Sequence, residues 1–286
     1  MILITSSTGP VGSDLVIRLL AAGQRVRVLV RNLEWAAHFA GEVERCVGDL
    51  DKPETLGAIF EGVRVVYLIS HSSQVQPLIE VAETAHVERI VRQSTLAAGF
   101  DSNARSGHSE RDADQAIERS SVAYTILRPT IMMQNTRFWW APQVRSQRLV
   151  NCLGGEGRFS PVVAGDVAAV ACAVITQPGH EGRVYEITGP QLLTCKQMVA
   201  TIARTIAEDI GYVDAPEAAA IDLMARLTMR PELFTALLET MTDLRVNRFA
   251  RLAETVPSIT GSAGRTYSDW CVANVGSFVP IRPSQR

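Results

Sequence analysis

The sequence predicts an α/β fold: a doubly wound parallel sheet followed by a smaller, helix-rich C-terminal lobe. Three observations carry that prediction. Short, nearly all-apolar runs recur through the first half of the chain and suit strands buried on both faces. Helical stripes separate them. The first apolar run, Met1-Ile2-Leu3-Ile4, leads through the turn Thr5-Ser6-Ser7-Thr8-Gly9-Pro10-Val11-Gly12 into the first stripe.

In chain order, Ile2–Thr5 is the first strand. Asp14–Ala22 places Leu15, Val16, Leu19 and Leu20 on one helical face and is ended by Gly23. Val26–Val30 is a second, β-branched run. Glu34–Ala40 reads as a short helix and Val43–Val47 as the third strand. Pro53 suits the opening of a helix over Glu54–Phe60. Val63–Ile69 is the fourth strand, Pro77–Ala85 a helix and Arg89–Val91 the fifth strand. Ala113–Arg119 is helical, and Ala123–Leu127 is the sixth strand before Arg128-Pro129. Right-handed crossovers between such strands give the doubly wound order. Beyond Pro129 the alternation weakens. Gly154-Gly155-Glu156-Gly157 is a turn, Asp166 can cap a helix over Val167–Thr176, and Val184–Ile187 is a strand. Thr194 and Gln197 form a T-x-x-Q capping box for a helix from Cys195 to Ala207. Residues 216–255 are helix-rich, with Pro216 and Pro231 near helix starts, and Tyr267–Val279 is a last helix.

The chain has 286 residues, 47% of them hydrophobic, and a formal net charge of −2. That length suits one large domain or a domain with an added lobe. The near-balanced charge argues against general nucleic-acid binding. No apolar run reaches membrane-spanning length, and no secretory signal pattern opens the chain. The 5 cysteines are scattered, odd in number and lack a CxxC pair, which fits reduced thiols in a cytoplasm. No metal site is expected, because the His, Cys and carboxylate residues lack ligand spacing. The expected setting is a cytoplasmic monomer or homodimer acting on a small molecule, without nucleic acid or membrane.

The glycine turn points to a dinucleotide. Gly9 lets a backbone approach a pyrophosphate, and Gly12 lets helix and strand pack closely. The helix N-terminus offers free N–H groups and the positive end of its dipole. Ser6 stands where such turns usually carry a first glycine, and costs about 1–2 kcal/mol if that residue needs a positive φ. A plain strand-to-helix turn without ligand is the alternative reading. Arg31 ends the second strand, where an acid would hold a ribose 2′-hydroxyl and an arginine accommodates a 2′-phosphate. Asp49, after the third strand, is placed to accept from an adenine amino group; alternatively Asp49 or Asp51 caps the next helix. The candidate cofactor set is Ser6, Thr8, Gly9, Val11, Gly12, Arg31, Asn32, Asp49, Leu50 and Ser70. It favours NADP(H) over NAD(H), with no cofactor if the turn is a relic. On this division residues 1–150 are the dinucleotide-binding domain. Residues 151–286 are a substrate-pocket lobe intertwined with the sheet edge and not an independent domain.

Taken together, ILITSSTGPVG, VRVLVRN, VGDLDKPETL, YTILRPT, GDVAAVACAV and VYEITGP resemble the NmrA-like, atypical short-chain dehydrogenase/reductase family over nearly the whole chain. The resemblance implies a Rossmann domain that binds NADP(H) or NAD(H), with a C-terminal lobe shaping a substrate pocket. It carries Gly9, Gly12, Arg31 and Asp49 over as cofactor residues. Family members include quinone and azo reductases, isoflavone-reductase-type enzymes and redox-sensing regulators. The family usually has T-G-A-T-G, so Ser6-Ser7 departs from its pattern. Gln134 and Asn135 face the pocket if the resemblance holds.

The usual catalytic dyad of short-chain dehydrogenases, Tyr-x-x-x-Lys, is absent. Tyr67, Tyr124, Tyr185, Tyr212 and Tyr267 are followed four places on by His71, Arg128, Gly189, Pro216 and Cys271, and Lys52 and Lys196 are the only lysines. The catalytic candidates are therefore His71, after the fourth strand, and Ser94, after the fifth; His108, one turn before Asp112, is a weaker acid. Loop and capping roles are the plainer alternatives for all three. The substrate-pocket set is His71, Thr95, Met133, Gln134, Asn135 and Phe138. Met132, Met133, Phe138, Trp139 and Trp140 make that stretch soft and aromatic, as core or as the wall for a flat apolar substrate. The leading expectation is an NADP(H)-dependent oxidoreductase acting on a small apolar carbonyl, quinone or unsaturated compound. The alternatives are a non-catalytic NAD(P)-sensing regulator that docks a partner protein, and a biosynthetic tailoring enzyme that has lost redox use of the cofactor.

Overall fold

A computed structural model describes residues 1–39, 41–100, 105–216 and 231–279. The backbone separates into two compact units. The first comprises Met1–Pro129, Ala164–Ile187 and Ala253–Ser262, and the second Thr130–Val163, Thr188–Leu252 and Ala263–Arg286. This differs from a single division at residue 150, because a late strand and two late helices pack into the first unit.

The first unit holds a seven-stranded, all-parallel sheet. Its strands are β1 (Ile2–Ile4), β2 (Val26–Val30), β3 (Glu44–Val47), β4 (Val65–Leu68), β5 (Arg89–Gln93), β6 (Ala123–Pro129) and, after two strands of the second unit, β9 (Arg183–Ile187). The order β3-β2-β1-β4-β5-β6-β9 reverses direction between β1 and β4, the place where doubly wound sheets bind ligands. On one face, α2 (Gly57–Phe60), α3 (Ser72–Thr84) and α4 (Arg105–Arg119) cover a core that includes Leu3, Leu29, Val66, Leu78, Ile90 and Ile117. On the other, α1 (Pro10–Ala21) packs against α7 (Ala164–Thr176). Residues 2, 3 and 4 are all buried because alternate side chains of β1 enter opposite, equally apolar layers. In the second unit, β7 (Leu149–Cys152) pairs in parallel with β11 (Gly211–Asp214), and β8 (Arg158–Phe159) pairs antiparallel with β10 (Leu193–Thr194). Its helices are α5 (Asn135–Trp139), α6 (Ala141–Gln147), α8 (Cys195–Ile206), α9 (Pro231–Arg245) and α11 (Tyr267–Ala273); α10 (Thr255–Thr260) belongs to the first unit.

Several local expectations hold. Thr194 and Gln197 close their capping box at the start of α8, and Pro231 opens α9. Others are corrected. The stretch expected as a helix over Glu34–Ala40 is a single 3-10 turn over Leu33–Ala36, entered through the Asn32 side chain, which accepts from the Glu34 N–H; Ala40 lies outside the described residues. Helix α3 starts at Ser72, five residues before Pro77, and the missing proline N–H is tolerated because Ser73 is exposed to water. Helix α4 starts well before Ala113, which places His108 inside it. Asp166 lies within the first turn of α7 and not ahead of it, where its charge still favours the positive helix end. Helix α11 stops at Ala273 and continues only as a 3-10 turn over Val275–Ser277. The helix expected just after Pro216 falls outside the described residues.

Candidate dinucleotide site and active site

Thr5 joins the glycine turn to the neighbouring strand. Its N–H donates to the Tyr67 carbonyl at 3.1 Å, its hydroxyl donates to the Ile69 carbonyl at 3.0 Å, and the hydroxyl accepts from the Ile69 N–H at 2.9 Å. The side chain thus extends β1–β4 pairing past the strand ends and fixes the segment carrying Ser70 and His71. No motif pointed to Thr5; a hydroxyl residue closing an all-apolar run was the available signal.

The two glycines of the turn do different jobs. A Cβ on Gly12 would stand 2.2 Å from the Ser6 carbonyl oxygen, so this position is closed by the protein's own backbone. A Cβ on Gly9 would meet nothing nearer than 3.4 Å, so internal packing does not require glycine there. Its bareness leaves room for a group coming from outside. Ser6 does not have a positive φ, which corrects the expected 1–2 kcal/mol of strain: the serine sits in ordinary backbone. Gly9 is the N-cap of α1 and Pro10 its first residue. Pro10 carries no N–H, and the Ser13 N–H is bound to the Gly9 carbonyl, so among the described residues the Val11 and Gly12 N–H groups are the first-turn donors left without a backbone partner. Ser6 and Thr8 are exposed beside them. The Ser7 hydroxyl and the Ser70 hydroxyl are each buried with no hydrogen-bond partner among the described residues. A bare Cβ-free position, two free N–H groups and two unsatisfied hydroxyls suit a pyrophosphate with its riboses.

At the end of β2, the Arg31 guanidinium lies over the Trp35 ring, 5.5 Å from its centroid, and Trp35 is 49% exposed. This pair was not expected from the sequence, because Arg31 lies before the 3-10 turn that carries Trp35 and no helical spacing joins them. Asn32 spends its carbonyl on the Glu34 N–H. After β3, the Asp49 carboxylate accepts from the Asp51 N–H, and Asp51 accepts from Gln74 at 2.6 Å. The helical turn at Pro53 is entered through Lys52, so neither aspartate caps it. Leu50 is half-buried against the core.

The ends of β4, β5 and β6 hold a different kind of chemistry. His71 is exposed at the N-cap of α3, its N–H donating to Gln74 Oε1. Tyr67 is wholly buried and donates to Gln93 at 2.7 Å; burial holds its hydroxyl far above the ordinary phenol range. Ser94 is buried, and its hydroxyl donates to Asp114 Oδ2 at 3.0 Å. That proton is engaged, so toward a ligand Ser94 offers oxygen lone pairs. Asp114 also receives Arg92 Nε at 2.8 Å and Arg128 Nε at 2.9 Å, and Arg92 Nη2 contacts Glu110. Arg92 and Asp114 are fully buried. Burial, outweighing Arg92, raises the Glu110 carboxyl above its ordinary range. No sequence motif marks Arg92, Glu110, Asp114 or Arg128; a pair of charges inside an apolar strand and two acids four apart on a helix are the visible signals. Thr95 accepts from the Ala97 N–H and opens a 3-10 turn, and His108 is exposed on α4.

The remaining substrate-side candidates lie in the second unit. Met133 is core, 1% exposed, with its N–H on the Val162 carbonyl. Gln134 and Asn135 are half-buried at the start of α5, and Phe138 is 73% exposed. Among the described residues no cluster of His, Cys, Asp and Glu is arranged to hold a metal, and no helix is long and apolar enough to cross a membrane.

The model of a family described as NAD(P)H-binding matches residues 7–178. An NAD(P)H azoreductase from Xenophilus azovorans is 32% identical over 284 residues, 97% of this chain and 99% of the relative. A (4-alkanoyl-5-oxo-2,5-dihydrofuran-3-yl)methyl phosphate reductase from Streptomyces griseus is also 32% identical, over 98% of this chain and 100% of its own. The crystal structure of an NADPH-dependent quinone oxidoreductase from Escherichia coli, in complex with NADPH, superposes with a TM-score of 0.87 over 96% of this chain and 99% of that one; at 23% identity this shows the shared fold. The chain belongs to the family described as NAD(P)H-binding.

Proposed function

We propose that the protein is an NADP(H)-dependent reductase of small conjugated acceptors: quinones, azo compounds or unsaturated carbonyl compounds. The full-length likeness to an NAD(P)H azoreductase carries this reading, and a likeness of equal identity to a reductase of an unsaturated lactone widens the acceptor class. When bound, the cofactor supplies a hydride equivalent. The Val11 and Gly12 N–H groups with the Ser7 and Ser70 hydroxyls hold its pyrophosphate and ribose end. Arg31, held flat by Trp35, takes a 2′-phosphate and so favours NADP(H) over NAD(H). His71 and Ser94 stand at the reacting end, where Ser94 accepts a hydrogen bond from a ligand because Asp114 holds its proton. Orientation and exclusion of water are the protein's main contributions to the hydride step.

Fluorescence titration with NADPH and NADH, followed by the loss of nicotinamide absorbance with a panel of quinones, azo dyes and enones, tests the reading. Saturable binding with NADPH preferred, and oxidation by at least one acceptor class, is expected. Binding without oxidation by any acceptor would favour a nucleotide-sensing protein instead.

A further inference from the structure

The buried charges beside β5 lack an explanation in cofactor binding. Arg92 is 0% exposed on a central strand, yet its Nη1 has no hydrogen-bond partner among the described residues. Removing a guanidinium from water costs several kcal/mol, and an apolar residue in its place is often no less stable. Such a network is therefore a poor device for stability alone. Its layout is directional. Asp114 gathers three donors, Arg92 Nε, Arg128 Nε and the Ser94 hydroxyl, and is closed to solvent. Glu110, on the same face of α4 one turn earlier, meets Arg92 from the other side, and its side chain remains 24% exposed. Of its two carboxyl groups Glu110 is the one that reaches solvent, and the Arg128 side chain is 18% exposed. Helix α4 follows β5 and runs back along it, so its first half lies at the edge where the strands end, with Ser94 and His71.

We propose that Glu110 is the proton donor of the reductase, with Arg92 holding its carboxylate. The inference rests on the reductase reading. As the acceptor takes up hydride, its oxygen or nitrogen forms a new O–H or N–H bond with the Glu110 proton. The Glu110 O–H bond breaks, and its electron pair stays on a carboxylate that Arg92 faces. A solvent proton then restores the acid. Among the described residues, the titratable groups facing Glu110 are Arg92 from β5, Asp114 from α4 itself and His71 from the start of α3, and of these the Arg92 guanidinium acts most strongly on it. Desolvation outweighs them and raises the carboxyl, the direction that keeps a proton available for donation.

The test compares Glu110→Gln and Glu110→Asp with the unmutated protein in three readouts. The first is NADPH affinity by fluorescence titration, which should be unchanged in both variants. The second is kcat against pH with a quinone. In the unmutated protein kcat should fall as pH rises and Glu110 loses its proton. Glu110→Gln should lower kcat by about 100-fold or more and abolish that alkaline limb. Glu110→Asp should restore the limb with a smaller rate. The third is the protonated-carboxyl band in infrared difference spectra between acid and alkaline buffer, which should be lost in Glu110→Gln. An unchanged rate and pH profile in Glu110→Gln overturns the proposal while leaving the reductase reading intact. So does loss of NADPH binding in that variant, which would mark a structural role, or absence of the carboxyl band. If the unmutated protein binds NADPH but reduces no acceptor, the reductase reading falls and the proposal with it.

Discussion

The two ends of the candidate site are built on opposite principles. Around the glycine turn, polar groups are left without partners among the described residues: the Val11 and Gly12 N–H groups and the Ser7 and Ser70 hydroxyls. Beside β5 and β6, the polar groups are bonded to one another before any ligand arrives: Ser94, Arg92 and Arg128 converge on Asp114. The first arrangement suits binding, because the ligand supplies the missing partners and the unliganded protein carries the cost. The second suits chemistry, because preorganised charges need not reorient when a proton moves. The difference implies that mutations at the two ends fail differently: at the closed end they damage stability first, and at the open end affinity.

The largest expected effect is Asp114→Ala, which leaves the buried Arg92 with Glu110 alone and strands the mostly buried Arg128. Loss of one partner of a buried pair costs about 3–5 kcal/mol, so urea unfolding should show a correspondingly lower midpoint. A variant of wild-type stability would dissolve the contrast between the two ends. Gly12→Ala comes next. Its Cβ must displace the Ser6 carbonyl from 2.2 Å, at about 1–3 kcal/mol of overpacking, and NADPH affinity should fall with it. Gly9→Ala sharpens the point, since its Cβ meets only ordinary contacts. It should melt close to the unmutated protein while binding NADPH far more weakly.

Much of this was legible in the sequence, for reasons that differ by region. The central strands β1, β2 and β4 announce themselves as apolar runs because both faces are buried, and Gly9 and Gly12 mark the turn because their spacing follows from backbone geometry. Helix starts were misjudged at Ser72 and Arg105, where polar, weakly periodic first turns hide a helix stabilised by tertiary packing. The Asp114 network was invisible for a different reason. Its members come from β5, α4 and β6, and only the fold brings Arg92, Asp114 and Arg128 within hydrogen-bond distance. Ser6 was misjudged because the strain argument assumed a positive φ that the turn does not use.

Two smaller effects probe the open end. Arg31→Ala should remove most of the preference for NADPH over NADH, about tenfold or more, given the roughly 1.5–3 kcal/mol of a hydrogen bond to a charged group. Equal affinities in the unmutated protein would contradict a 2′-phosphate role. Ser6→Gly should be the mildest. With no strain to relieve, it should leave NADPH affinity nearly unchanged and lower stability by about 0.5–1 kcal/mol through added backbone freedom. Clearly tighter binding would restore the strained-turn picture, and clearly weaker binding would make the hydroxyl a phosphate ligand.

Hydride transfer at a single, fixed site is the claim on which all the rest depends. The direct measurement uses NADPH deuterated at C4 on one face or the other, oxidised by a quinone in the presence of the protein. Loss of the label from one epimer only, with slower oxidation of that epimer, is the expected result. No oxidation, or equal loss from both epimers, would contradict it.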